Sequence, residues 1–340
     1  MTAAMPAAVR AAPRRMLVLD GATDTIAHRA LADLPAFIRP GDVVVLNDAA
    51  TLPASLPASF GDAPLELRLA VRAGPGAWWC ALLGAGDWTV DTDQRGPVPP
   101  LRPGDRLIVG DATVTVLRRR PGTDHLALIR LADDDAGAAS LLYQRGRPVR
   151  YRYLDRPLAL AEVQTAWAGP PWAVEVPSAG LGLDHAALAA LRSAGAVLVT
   201  VTHAAGLSAT GDPALDASLP LPEPYDVPAT TADAVNACRA RGGRVLAIGT
   251  SATRALEAAA PDGLVLAGPG RATLRLGPAR RPRVVDAVLT NMHAPGESHA
   301  ALLSAFVPPD LVRRGWEAAA AAGYRAHELG DVTLSGAQIV

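Results

Sequence analysis

Two rhythms of apolar residues run along this chain, and they divide it. Residues 65–71, 77–83, 112–117 and 125–131 are short apolar runs, several of them separated by Gly- and Pro-rich turns such as Arg102-Pro103-Gly104-Asp105. Strand-length runs at this spacing predict a small antiparallel barrel. After about Tyr151 helix and strand patterns alternate. Asp184 is placed to cap a run of Ala and Leu up to Ala194, Gly195 to stop it, and residues 197–202 to follow as a strand. A second helix, roughly 231–241, ends at Gly242-Gly243 and feeds another strand, and upstream Arg39-Pro40-Gly41-Asp42 turns into a strand over 43–46. The alternation predicts an α/β fold with a mostly parallel sheet covered on both faces.

Two of these strands end in polar clusters. The run 244–248 stops at Gly249-Thr250-Ser251, and the run 284–289 stops at Thr290-Asn291-Met292-His293-Ala294-Pro295. Ligands of α/β proteins bind where carboxyl ends of parallel strands meet amino ends of the following helices. Gly249 would let the backbone turn, Thr250 or Ser251 would cap the next helix, and free N–H groups would face a carboxylate or phosphate. Arg254 would add donors from the first turn of that helix. The same turn starts many helices that bind nothing, so the weight lies on the two edges together.

Composition narrows the picture. The chain has 340 residues, half of them hydrophobic, enough for a sizeable core and two domains. A formal net charge of −1 gives no global attraction to nucleic acid, so such binding needs a local basic face. All 32 basic side chains are arginine. This excludes a lysine Schiff base, nucleophile or general base, and a GC-rich coding bias accounts for it. The groups Arg118-Arg119-Arg120, Arg145 to Arg156 and Arg271 to Arg283 are candidates for phosphate contacts or plain solvated surface. Cys80 and Cys238 match no metal or redox spacing and read as buried thiols. Asp133-Asp134-Asp135 reads as a solvated loop, and no metal is expected. The first 15 residues lack a signal-peptide core, and no stretch reaches the roughly 20 apolar residues a membrane helix needs. A soluble cytoplasmic monomer is expected.

The pattern G-T-S-x-x-R-x-L-E at Gly249 to Glu257, followed by T-N-x-H-x-P and Leu302-Leu303-Ser304-Ala305-Phe306, resembles the S-adenosylmethionine:tRNA ribosyltransferase-isomerases of queuosine biosynthesis. Further matches follow in the same order: Asn47-Asp48, Gln164-Thr165 with Ala168, Pro177-Ser178-Ala179-Gly180-Leu181, Thr202-His203, and Tyr324-Arg325 with Gly330-Asp331. The family pattern N-D-T-R-V-x-x-A-R-L carries two arginines where this chain has Ala50 and Ser55. In P-T-A-G-L-H-F the histidine place holds Gly182, H-x-M-H-x-E retains Glu223 alone, and H-V-G-x-G-T-F has become His203-Ala204-Ala205-Gly206-Leu207-Ser208.

The resemblance implies an α/β domain from residues 1–58 and 150–340 with an all-β domain, 59–149, inserted. It also implies removal of a proton from the carbon beside the sulfonium of S-adenosylmethionine, expulsion of adenine, and transfer of the rearranged ribosyl unit to the amine of a 7-deazaguanine (preQ1) in tRNA, releasing methionine. His293 and His203, at strand ends and tuned near neutral pH, are the candidates for proton transfer, with Glu223 as a further candidate. Thr290 and Asn291 are placed for a ribose hydroxyl or base edge, and Ser178, Ala179 and Gly180 for a second backbone cradle. Asp48 and Glu223 are the carboxylates for a cationic substrate, and Asn47, Gln164 and Thr165 complete the implied binding set. The substituted positions keep two alternatives open: a different acceptor, or a silent paralogue that binds a nucleoside-like ligand.

Overall fold

The computed structural model describes residues 14–150, 154, 156–293 and 298–339. The first part of the chain contributes β1 (Arg15–Asp20), β2 (Thr25–Ala30) and β3 (Val43–Asn47). It then forms a closed barrel from β4 (Ser55–Phe60), β5 (Ala63–Gly74), β6 (Ala77–Leu83), β7 (Arg106–Val109), β8 (Ala112–Arg119) and β9 (Leu126–Arg130). Helix α1 (Asp135–Arg145) packs on this barrel through Ala138, Leu141 and Leu142. The second half runs α2 (His185–Ser193), β10 (Val197–His203), a short α3 (Pro213–Asp216), β11 (Glu223–Val227), α4 (Ala229–Ala240), β12 (Val245–Ile248), α5 (Thr250–Ala259), β13 (Gly268–Ala272), β14 (Ala287–Met292), α6 (Ser298–Leu303), α7 (Pro309–Ala321) and β15 (His327–Gly336).

Nine strands form one sheet in the order β13-β11-β10-β3-β12-β14-β15-β1-β2. Alternation within its buried strands explains why both faces are covered. Leu17, Leu19, Val43, Val45, Val245 and Ala247 point into a core with α4, α5 and α7. Their neighbours Met16, Val18, Val44, Leu46, Leu246 and Ile248 point into another with α2 and the turn Leu31–Phe37. A period of two can serve two cores only when helices lie on both sides. The expected helix α2 starts on the Asp184 carboxylate, which accepts from the Ala187 amide, and the backbone turns at Gly195 with φ 100°.

The sheet is mixed, which corrects the expectation of a mostly parallel one. The pairings β10–β3, β3–β12, β12–β14 and β15–β1 are parallel, whereas β13–β11, β11–β10, β14–β15 and β1–β2 are antiparallel. The turn between Asp20 and Thr25 is too short for a crossover, so β2 must return antiparallel. The parallel centre is what positions the polar edges. Register places Val201 beside Asn47 and Ile248 beside Leu46 and Leu289, so β10, β3, β12 and β14 release their chains at one rim.

Candidate active site

At this rim Gly249 adopts φ 97° and ψ 153°, a conformation essentially confined to glycine, and α5 begins at the next residue. Neither the Thr250 nor the Ser251 hydroxyl caps the helix; Gly249 itself is the cap. The first-turn amides of a helix have no intrahelical acceptor, and Gly249, Thr250 and Ser251 form one wall of a cavity of about 230 Å³. Ser178, Ala179, His203, Glu223, Arg254, Thr290 and His293 line the same cavity, so ten of the expected positions meet there. Thr290 Oγ1 lies 3.5 Å from His293 Nε2. Residues 294–297, including Pro295 of the motif, fall outside the described residues.

Glu223 organises the wall. Its Oε1 accepts the Gly206 amide at 2.6 Å, its Oε2 accepts from Arg254, and His203 Nε2 lies 3.3 Å from Oε2. Arg254 is buried, and its other donors reach the carbonyls of Leu274 and Ala272 at 3.4 and 3.0 Å. Each of its three nitrogens thus has a partner in the wall, while the side chain still lines the cavity. Burial, and then Arg275, lower Arg254 to about 10, still a cation at neutral pH. Burial, and then the Arg254 charge, push His203 down to about 3. The ring is thus neutral, and neither nitrogen makes a protein hydrogen bond.

The remaining expected positions stand behind the cavity. Asn47 Nδ2 donates to the His203 carbonyl at 3.0 Å and to Ser251 Oγ at 3.1 Å, while its Oδ1 accepts the His203 and Ala49 amides. Asp48 accepts the Thr202 hydroxyl at 2.6 Å, so it braces a strand end and does not line the cavity. Gln164 makes a two-way amide bridge to the Thr51 backbone, each bond 2.9 Å. Thr165 is buried beside Gly180, where an added Cβ would sit 2.6 Å from the Trp167 ring. Asn291 donates to Ser178 Oγ at 2.6 Å. The side chains read from sequence as ligand-facing are, in this group, the pins that hold the rim together.

A family model described as queuosine biosynthesis protein matches residues 1–335. The chain belongs to this queuosine biosynthesis family. Among its relatives is a protein of Azoarcus sp. (strain BH72) named S-adenosylmethionine:tRNA ribosyltransferase-isomerase, 36% identical over 98% of this chain and 93% of the relative. Relatives of the same name occur in Gloeobacter violaceus, 36% identical over 94% and 88%, and in Thermus thermophilus, 32% identical over 94% and 92%. A crystal structure titled S-adenosylmethionine tRNA ribosyltransferase, from Thermotoga maritima, shares the fold with a TM-score of 0.51 at 24% identity, covering 97% of this chain and 94% of that one.

Within this queuosine-family chain two of the positions that depart from the motifs, Gly182 and Ser55, have distinctive local surroundings. At Gly182 an added Cβ would stand 2.5 Å from Leu31 Cδ2 and 2.9 Å from Arg14 Cδ, so a larger residue there would require Leu31 and Arg14 to move. Ser55 lies directly across from Arg68 in the β4–β5 ladder, which puts a guanidinium opposite the missing one. The cavity also holds residues not expected from sequence, Glu175, Ser208 and Arg275. Glu175 Oε1 accepts from the Ser208 amide at 2.8 Å and hydroxyl at 3.1 Å. Ser208 falls in the weakened segment after His203, a usable signal; Glu175 sits in a segment with no pattern at all. Among the described residues no cluster of three metal-ligating side chains forms, and no helix is long and apolar enough to cross a membrane.

Proposed function

We propose that this protein consumes S-adenosylmethionine and transfers its ribosyl unit, with isomerisation, to the amine of a 7-deazaguanine (preQ1) in tRNA, releasing adenine and methionine. The observation that carries this reading is near end-to-end similarity to relatives named for that reaction, whose motif edges here converge on one cavity. The amides of Gly249, Thr250 and Ser251 at the α5 amino end favour the substrate carboxylate. Thr290 and Ser178 offer hydroxyls to the ribose. His203, neutral and short of partners, hydrogen-bonds the nucleoside, since a buried polar group gains most from a ligand that satisfies it.

The proton to be removed is acidified by the sulfonium itself, so an ordinary base suffices. His293 is that base, half-buried at the cavity edge and next to Thr290. Glu175 and Glu223 set negative charge beside the cationic sulfur, with Glu223 largely balanced by Arg254. Asn47, Asp48, Gln164, Thr165, Ala179, Gly180 and Asn291 position these groups. In this reading the protein works as a cytoplasmic monomer, with both ends of the chain forming one domain and an insert close to residues 59–149, whose barrel begins slightly earlier, at Ser55. Incubation with S-adenosylmethionine and preQ1-bearing tRNA is expected to release adenine in step with a mass gain on the tRNA. Adenine release without an RNA product would remove tRNA as the acceptor, and no release at all would remove the reaction.

A further inference from the structure

Where the chain leaves the barrel, four arginines gather around one carboxylate. Glu66 Oε1 accepts from Ser55 Oγ at 2.8 Å and Arg68 Nε at 2.6 Å, and Oε2 accepts from Arg95 at 2.8 Å. Both of these guanidiniums are buried, at 2% and 3% side-chain exposure. Arg147 and Arg150 stand outside them with no acidic partner among the described residues, and Arg150 Nε is shielded from solvent without a hydrogen bond. Among the described residues the two inner guanidiniums share Glu66, and the two outer ones meet no carboxylate. Burial, and then the neighbouring Arg147, lower the pKa of Arg150, with Glu66 opposing.

The fold holds these cations in place. Ser55 and Arg147 exchange backbone hydrogen bonds of 2.9 and 2.8 Å, and Arg68 donates to the Arg150 carbonyl at 3.3 Å. Like charges pinned side by side repel, and an incoming anion relieves that repulsion. Between them Pro148 and Val149 line a cleft together with Glu175 and Val176, which also line the cavity. The unpaired charges therefore stand beside a small cleft that shares a wall, Glu175 and Val176, with the site. Arg145, a few residues earlier, is committed to Asp111 at 2.7 Å.

We propose that Arg147 and Arg150 form a docking site for the phosphate backbone of an RNA acceptor, on the side of the molecule where Glu175 and Val176 wall the cavity. The choice of RNA rests on the function proposed above. The test is fluorescence anisotropy of a labelled tRNA over a KCl series, with wild type, Arg147→Ala, Arg150→Ala, the double variant and, as a charge-matched control, Arg145→Ala. Each docking arginine is expected to carry about 0.7 to 0.9 of the log–log salt slope and to weaken binding about tenfold when lost. Arg145→Ala should leave the slope unchanged, and calorimetric binding of S-adenosylmethionine without RNA should be the same in all variants. An unchanged slope in the double variant overturns the docking site. Wild type that binds tRNA through these arginines but does not modify it would keep the site and overturn the reaction; wild type that releases adenine but binds no tRNA would overturn both the site and the acceptor.

Discussion

A carboxylate as buried as Glu223 needs compensating donors, and those it has found, the Gly206 amide and Arg254, also fix the state of His203. Loss of solvent and the Arg254 charge keep the imidazole neutral, so in the proposed reaction His293 is the candidate base and His203 a hydrogen-bonding group. His293→Ala is expected to slow adenine release about a hundredfold or more, the usual range for losing a general acid or base, with little change in S-adenosylmethionine affinity. Full turnover in that variant would make His293 structural. His203 has a second consequence. Its folded pKa of about 3 lies below the unfolded value near 6.5, so the unfolded chain binds the extra proton between these limits. Its stability contribution is whole above about pH 6.5 and is lost as pH falls toward 3, with a slope of about 1.4 kcal/mol per pH unit inside that window. Urea melts of wild type and His203→Phe between pH 7 and 4.5 should therefore show the wild type losing stability relative to the variant as acid is added, and a constant difference would show that His203 does not carry this proton.

At the scale of elements, the strand–turn–helix from β12 into α5 was legible because its parts are local. The apolar run, Gly249 and the helical spacing after it each act within a few residues. The wrong detail was the cap, since the Ser251 hydroxyl is drawn away by Asn47, a contact across 204 residues that no local pattern carries. The antiparallel partners of the sheet escaped for the same reason: a helix–strand alternation counts elements but not the direction in which β11, β13 and β15 enter. Asn47 and Asp48 came from the family motif and Asn291 from the polar end of a strand, yet their bonds with His203, Thr202 and Ser178 run to the rim. The turn itself makes a sharp prediction. Gly249→Ala would force a side chain into a region nearly closed to it and is expected to cost about 2 kcal/mol. Space is not the obstacle, because the nearest atom to an added Cβ is 3.5 Å away. If thermal unfolding and S-adenosylmethionine binding are both unaffected, the backbone at 249 does not need glycine.

On the scale of the whole molecule, the barrel and the sheet share the segment between β10 and β11. Leu207 and Leu215 are buried in the barrel core, Asp212 accepts the Thr123 hydroxyl from the barrel, and Thr210 donates to Asp216 at 2.5 Å to close the α3 turn. The same segment then supplies Leu219 and Pro220 to the cavity wall and ends at Glu223. Packing of the barrel is thereby tied to the shape of the site, a tie that required knowing which core the loop enters. Leu215→Ala should destabilise the protein by about 2 to 4 kcal/mol, as for other buried leucines, and should also raise the KM for S-adenosylmethionine at temperatures where the protein remains folded. Leu107→Ala, in the barrel core but on β7, is the matched comparison: a similar loss of stability with an unchanged KM. Equal effects of the two substitutions on KM would mean that general softening, and not the segment between β10 and β11, links barrel to cavity.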